Sequence, residues 1–423
     1  MKSVTAIIIA TGNETAMKSS RPKAMHELCG RSMMEWVLDA VRLHTSAIPT
    51  VITSGDMAVC LGENANCIAG SADTCEMDAM AAAATLCAPD GLILMLSAAM
   101  PLITEKTVGS LVAAVGECAA ARLVCASGNE KGSIRSFAAC CIDAVQLKDM
   151  LLGGEEKIDE LVENIRASGK RVVDVYASEA ECIEVQDRNT LWECERIMRS
   201  RINAQHMKNG VTMIDPTSTY ISAYSEIGQD SVLYPGVMLL GKTKLGERCT
   251  IYGDSRLTDT HIGNDCVLQN VVANKADVGD RVTIGPFVNL RPDTHIADDC
   301  KIGDFVEVKN SSVGERTKLP HLSYIGDADI GKRVNVGCGC VFVNYDGFTK
   351  HRTIVGDDVF LGCQTNLVAP ITIGSDVYTA AGSTITQNVP DGAMAIARTR
   401  QVTKPDWVAK FRALRQKNTE KRT

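Results

Sequence analysis

The sequence predicts two dissimilar parts: an α/β domain on a parallel sheet, followed by a parallel β-helix. Three observations carry that expectation. Apolar runs alternate with helically spaced segments up to about residue 190, a helical connector follows, and from about residue 220 an aliphatic residue followed by glycine recurs at multiples of six. With 423 residues, the chain exceeds what one hydrophobic core serves, so two or three domains are expected.

In the front part, "AIIIATG", "PTVITSG", "GLILML", "ARLVCAS" and "KRVVDVYAS" read as buried strands. "RSMMEWVLDAVRLH" and "EKTVGSLVAAVGECAA" carry helical spacing. Such alternation means a parallel sheet with helices on both faces, and ligands of such sheets gather at the carboxyl ends of the strands. Next, Leu191, Cys194, Met198 and Ile202 fall at steps of three, four and four, one face of a connecting helix placed at 188–208.

Behind the connector, aliphatic-Gly pairs run from Ile227 to Ile373, and the steps from Ile227 to Leu245 and from Ile284 to Ile302 are each three hexads long. Three hexads then make one triangular coil of three short strands, and residues one such coil apart stack about 4.8 Å from one another. The rhythm breaks between Val336 and Val355, in "CVFVNYDGFTKHR", and irregular loops leaving a rigid repeat are favoured places for ligand contacts.

Composition narrows the function. A net charge of −7 argues against a general nucleic-acid surface, although the tail "KPDWVAKFRALRQKNTEKRT" sets seven basic residues against two acidic ones. Seventeen scattered cysteines, an odd number with no secretory signal before them, read as reduced; Cys338 and Cys340 alone do not complete a zinc site. No apolar run approaches a membrane span, so a cytoplasmic protein is expected.

The stretch "KLPHLSYIGD" sets His321 directly behind Pro320 among small and aliphatic residues, where a lone histidine is ordinarily a core residue. Its surroundings change that reading. Arg291 and Lys309, three hexads apart, are expected to stack on one wall, where two cations repel unless an anion lies between them. Glu307 precedes Lys309 by two positions on the same strand face and is expected near His321, where a carboxylate would fix the ring's tautomer. Asn344, Tyr345 and Lys350 lie in the interrupting loop.

From about residue 280 to 400, "RPDTHIADDCKIGDFVEVKNSSVGERTKLPHLSYIGD", "NYDG" and "TIVGDDVFLGCQTNLVAPITIG" resemble, almost without gaps, the acetyltransferase half of the bacterial bifunctional N-acetylglucosamine-1-phosphate uridyltransferase / glucosamine-1-phosphate acetyltransferase family. The resemblance implies a left-handed β-helix, a homotrimer, and acetyl-CoA as co-substrate in the supply of UDP-N-acetylglucosamine for cell-wall synthesis. It implies that His321 is the general base, supported by Glu307, and that Arg291, Lys309, Tyr324, Asn335 and Lys350 hold the amino-sugar phosphate. Asn344 and Tyr345 match the loop beside the acetyl group, and Ala381 and Arg398 match coenzyme A contacts. Cys338 and Cys363 stand at coenzyme-side positions where the family usually has alanine and serine. No metal is required, because a neutral imidazole can take the ammonium proton before nitrogen attacks the thioester.

Residues 4 to about 190 resemble the same family's Rossmann-like nucleotidyltransferase domain, with its site altered. Lys23, His26 and Gly30 survive, but Glu14 replaces a glycine of the phosphate loop and Ala16 its arginine. Ala99, in "MLSAAMPLI", replaces the aspartate that would hold magnesium, and Val185-Gln186-Asp187 replaces Val-Asn-Asn at the second metal position. About thirty residues are also missing between "CASGNEKGSIRSF" and "KDMLL". The expected organisation is a degenerate nucleotidyltransferase-like domain (1–187), a linker helix (188–208), an acetyltransferase β-helix (209–400) and a basic tail (401–423), with uridyltransferase activity lost. Partners are a small amino-sugar phosphate and copies of the chain, without nucleic acid or membrane. Two other readings are a different amino-sugar acceptor and a non-catalytic scaffold or regulatory homologue.

Overall fold

The computed structural model describes residues 2–10, 15–53, 62–70, 75–116, 118–126, 139–153 and 157–420. It divides into two compact units, Met1–Leu245 and Gly246–Thr423.

The first unit holds a seven-stranded sheet in the order Asn66–Ala69, Thr50–Thr53, Val4–Ile9, Leu92–Ser97, Ala139–Asp143, Ala120–Cys125, Val172–Ala177. Leu92–Ser97 is buried at every position, as a strand covered on both faces must be. The sheet is not purely parallel: Ala139–Asp143 runs antiparallel to both neighbours. Ser32 caps the helix Met33–Arg42 by accepting from Glu35 N, while Glu35 bonds back to Ser32 N. Asp187 similarly caps the helix Arg188–Lys208. Cys194 and Met198 of that helix are buried with Met17, Leu28, Met33, Leu102 and Val185, and Leu191 and Ile202 pack partly against them. The unit ends in short parallel pairs, Thr212–Met213 with Val232–Leu233 and Tyr220–Ile221 with Met238–Leu240, so coiling begins before residue 220.

The second unit is a parallel β-helix of three sheets. Each coil contributes one short strand to each sheet, beginning at Thr250–Ile251, Arg256–Thr258 and His261–Ile262. Ile251, Leu268, Ile284, Ile302 and Leu319 pair in turn up one sheet and fill the interior. That series corrects the uniform period. The step from one coil to the next is not constant: Leu268 to Ile284 is two positions shorter than Ile284 to Ile302, and Ile302 to Leu319 is one shorter. Corners absorb the difference, and many of them carry left-handed Asp or Arg such as Asp265, Arg281 and Asp299. The coil that joins Asn335 to Phe360 is much longer than the rest, its extra length leaving as the loop bridged by Tyr345 and Lys350. The tail carries a helix, Trp407–Glu420, that the sequence pattern does not announce.

Candidate active site

The β-helix register lines up a file of side chains at one corner. Asp304 pairs with His321 across adjacent coils. Lys318 pairs with Asn335 before that corner and Tyr324 with Val341 after it, the same offset on both sides, which sets His321 beneath Cys338. The pair Val336 and Leu361, with Gln364 N donating to Cys338 O at 2.7 Å, sets Cys338 beneath Cys363. By the same count from Leu361 and Thr379, Cys363 lies beneath Ala381, and Gly382 N donates to Cys363 O at 2.8 Å. Asp304, His321, Cys338, Cys363 and Ala381 thus rise in one column, a step of about 4.8 Å each. Arg398 reaches the top of it, its Cδ 3.8 Å from where a Cβ on Gly382 would stand.

His321 is exposed, and its Nδ1 lies 2.5 Å from Asp304 Oδ1. The hydrogen bond from His321 lowers the Asp304 carboxyl below its usual range. An ionised carboxylate only accepts, so Nδ1 carries the proton, and in the neutral ring the lone pair is then on Nε2. This corrects the expectation for Glu307. Glu307 lies three positions further on, registered with Tyr324, and its Oε1 accepts from Arg291 Nη1 at 2.9 Å. The carboxylate one coil below the histidine is Asp304, because the coil there is one residue short of three full hexads.

The neighbouring sheet gathers a cationic group. Asn289 and Leu290 pair with Glu307 and Val308, which brings Arg291 level with Lys309 as the stacking argument required. Lys309 meets Lys350 from the interrupting loop; that contact first, then burial and charge, holds the Lys309 ammonium below the usual lysine range. Beneath them Asp327 is almost wholly buried, accepting from Asn310 Nδ2 at 2.5 Å and from Asn344 Nδ2. Burial would push the Asp327 carboxyl up, but those two amides and the charges of Lys309 and Lys350 hold it down. Asn344 also approaches Tyr324 Oη at 3.4 Å across Gly326, where a Cβ would come within 2.4 Å of that hydroxyl. Asn335 stands apart on the strand before the corner, paired with Lys318 and Phe360. Tyr345 turns its hydroxyl to Gly347 O at 2.6 Å.

Sequence reasoning missed Asp304 and Asp327. Both were legible only through the local coil length: stepping back one short coil, rather than three full hexads, from His321 and Asn344 gives Asp304 and Asp327.

In the first unit, Val185 N donates to Ala99 O at 2.8 Å, so the two altered metal positions are adjacent. The Ala99 side chain has no oxygen, and Asp187 Oδ1 caps its helix by accepting from Thr190 N at 2.8 Å. Among the described residues, no three His, Cys, Asp or Glu side chains converge on a point that could hold a metal ion. Glu14 and most of the shortened segment lie outside the described residues.

Comparison with known proteins decides the family. The MobA-like NTP transferase domain matches residues 6–181 and the bacterial transferase hexapeptide (six repeats) matches 275–310. The chain is 39% identical to the Bifunctional protein GlmU of Caldanaerobacter subterraneus subsp. tengcongensis, over 96% of this chain and 98% of that protein. It is 37% identical to that of Clostridium tetani over the same shares, and 39% identical to that of Geobacillus sp. over 95% and 97%. The chain belongs to the GlmU family. Membership makes it a transferase with a nucleotidyltransferase-like front domain and a left-handed β-helix. The hexapeptide half of this GlmU homologue is its glucosamine-1-phosphate N-acetyltransferase part, using acetyl-CoA within UDP-N-acetylglucosamine biosynthesis. No helix among the described residues is long and apolar enough to cross a membrane.

Proposed function

We propose that the chain N-acetylates glucosamine-1-phosphate with His321 as the general base and no longer transfers uridylyl groups. The observation that carries the first half is the Asp304–His321 contact at the foot of the column that leads to Ala381. Asp304 holds the ring so that Nε2 takes a proton from the sugar's ammonium. The freed nitrogen then attacks the thioester carbonyl, and the imidazolium protonates the departing coenzyme A thiolate. Arg291, Lys309 and Lys350 take the sugar phosphate, since an anion between Lys309 and Lys350 relieves their repulsion. Tyr324 and Asn335 complete the sugar side. Asn344, anchored on Asp327, and Tyr345 face the acetyl group. The wall of Cys338, Cys363, Ala381 and Arg398 carries coenzyme A. Glu307 acts on Arg291 rather than on His321.

The loss of uridylyl transfer rests on chemistry. Magnesium takes oxygen ligands, and Ala99 supplies none from its side chain. Residues 1–187 then serve as a scaffold, 188–208 as linker, 209–400 as the acetyltransferase and 401–423 as a basic tail, in a cytoplasmic homotrimer. A coupled thiol-release assay with acetyl-CoA and glucosamine-1-phosphate, run beside His321→Ala, tests the first claim: release is expected from the parent and lost in the variant. Pyrophosphate release from UTP, magnesium and N-acetylglucosamine-1-phosphate would overturn the second.

A further inference from the structure

Cys338 and Cys363 lie two residues beyond the pair Val336 and Leu361 on adjacent coils, so the same register sets one over the other, and neither is buried. The coils come together closely here: a Cβ on Gly337 would stand 2.5 Å from Cys363 N. Register-paired residues of neighbouring strands have Cα atoms about 4.8 Å apart, inside the span of about 4.4–6.8 Å that a disulfide bridges. Both thiols act electrostatically on Cys340, which places the three sulfurs in one neighbourhood. Cys340, however, points into the coil, donates Sγ–H to Gly362 O at 3.3 Å, and is pushed up to about 11 by burial, so it stays a buried thiol.

We propose that Cys338 and Cys363 form a modification site, a dithiol that a low-molecular-weight disulfide closes into an inter-coil bond. One thiolate attacks the reagent's S–S bond, forming a mixed disulfide and releasing one thiolate. The second protein thiolate attacks the mixed disulfide, forming the Cys338–Cys363 bond and releasing the other. The two cysteine protons end on the two reagent thiols, and the two electrons lost by the protein reduce the reagent. The bond locks two successive rungs of the column between His321 and Ala381. That locking impairs coenzyme A, a consequence which rests on the assignment of this wall under the proposed function; formation of the bond does not.

The test treats the full-length chain with oxidised glutathione, blocks remaining thiols, and maps peptides by mass. A peptide pair joined through Cys338 and Cys363, absent from Cys338→Ala and from Cys363→Ser and removed by dithiothreitol, is expected. Glutathione capping both residues with no joined pair would overturn the site. In the oxidised protein, thiol release from acetyl-CoA is expected to fall about tenfold and recover with dithiothreitol. A joined pair with unchanged acetyl transfer would overturn the effect on coenzyme A. A reduced protein inactive on glucosamine-1-phosphate would instead sink the functional reading and leave the mapping result standing.

Discussion

His321 Nδ1 and Asp304 Oδ1 lie 2.5 Å apart because a shortened coil joins them, so that each sits at the same corner of the β-helix. A rigid repeat thus supplies the orientation that a catalytic histidine needs. The Asp304 carboxyl is lowered by its bond to His321, so it ionises below its ordinary value and accepts throughout the neutral range; the contact is lost only as pH falls through that lowered value.

Replacing Asp304 by Asn should therefore leave the coil intact but free the ring's tautomer, because an amide can present either oxygen or NH₂. Turnover is expected to fall about ten- to hundredfold with little change in KM for either substrate. Steady-state kinetics check the split, and the imidazole nitrogen shifts in NMR report the tautomer. A wild-type turnover number with a wild-type pH profile would remove Asp304 from the mechanism.

Lys309 gives a pH signature of its own. Its ammonium is destabilised chiefly by Lys350, so it loses its proton at a lower pH than an ordinary lysine and its grip on phosphate weakens on that alkaline limb. The kcat/KM for glucosamine-1-phosphate should fall as pH rises through this lowered value. In Lys350→Met the fall should move to higher pH, while KM at neutral pH rises because one phosphate cation is gone. An unmoved alkaline limb would mean that the two ammonium groups do not couple in solution.

These relationships mark where the sequence was legible and where it was not. The interior residues Ile284 and Ile302 announce themselves by aliphatic-Gly spacing, and the stacking of Arg291 on Lys309 follows from a coil that keeps all three hexads, Asn289 pairing with Glu307. Asp304 was overlooked because the next coil is one residue shorter, and a one-residue change at a corner moves which side chain lies beneath His321. In the front sheet, the strongly apolar Leu92–Ser97 was plain, whereas Asn66–Ala69 and Ala139–Asp143 are short and carry cysteines and alanines that look equally at home in a helix. Asp327 is reached only by the same short step, taken back from Asn344, and its role depends on two amides and two lysines brought together from different coils.

The front unit offers a prediction in acid. Burial would push the Glu181 carboxyl up, but bonds from Thr107, Thr104 and Ser178 outweigh it and hold it at about 2. A carboxyl lowered on folding contributes stability that is whole above its unfolded value of about 4.3 and is lost as pH falls from there through about 2. Glu181→Gln should lower the melting temperature at neutral pH and flatten its dependence across that window. Parallel melting curves for the two proteins from neutral pH down to acid would contradict the assignment.

Gly303 precedes Asp304 and faces the backbone just before His321: a Cβ there would stand 1.7 Å from Pro320 O and 3.1 Å from Pro320 Cα. Those atoms are main chain and cannot rotate aside, so Gly303→Ala must part the two coils at the rung that joins Asp304 to His321. Overpacking of this kind costs about 1–3 kcal/mol, and more where backbone must move. The loss should appear twice, as a lower melting temperature and as reduced turnover that the less stable protein shows even well below its melting point, because the carboxylate and the ring are pulled out of register. If Gly303→Ala melts with the parent and turns over at its rate, the coils are not in contact at this rung, and the orientation of His321 must come from elsewhere.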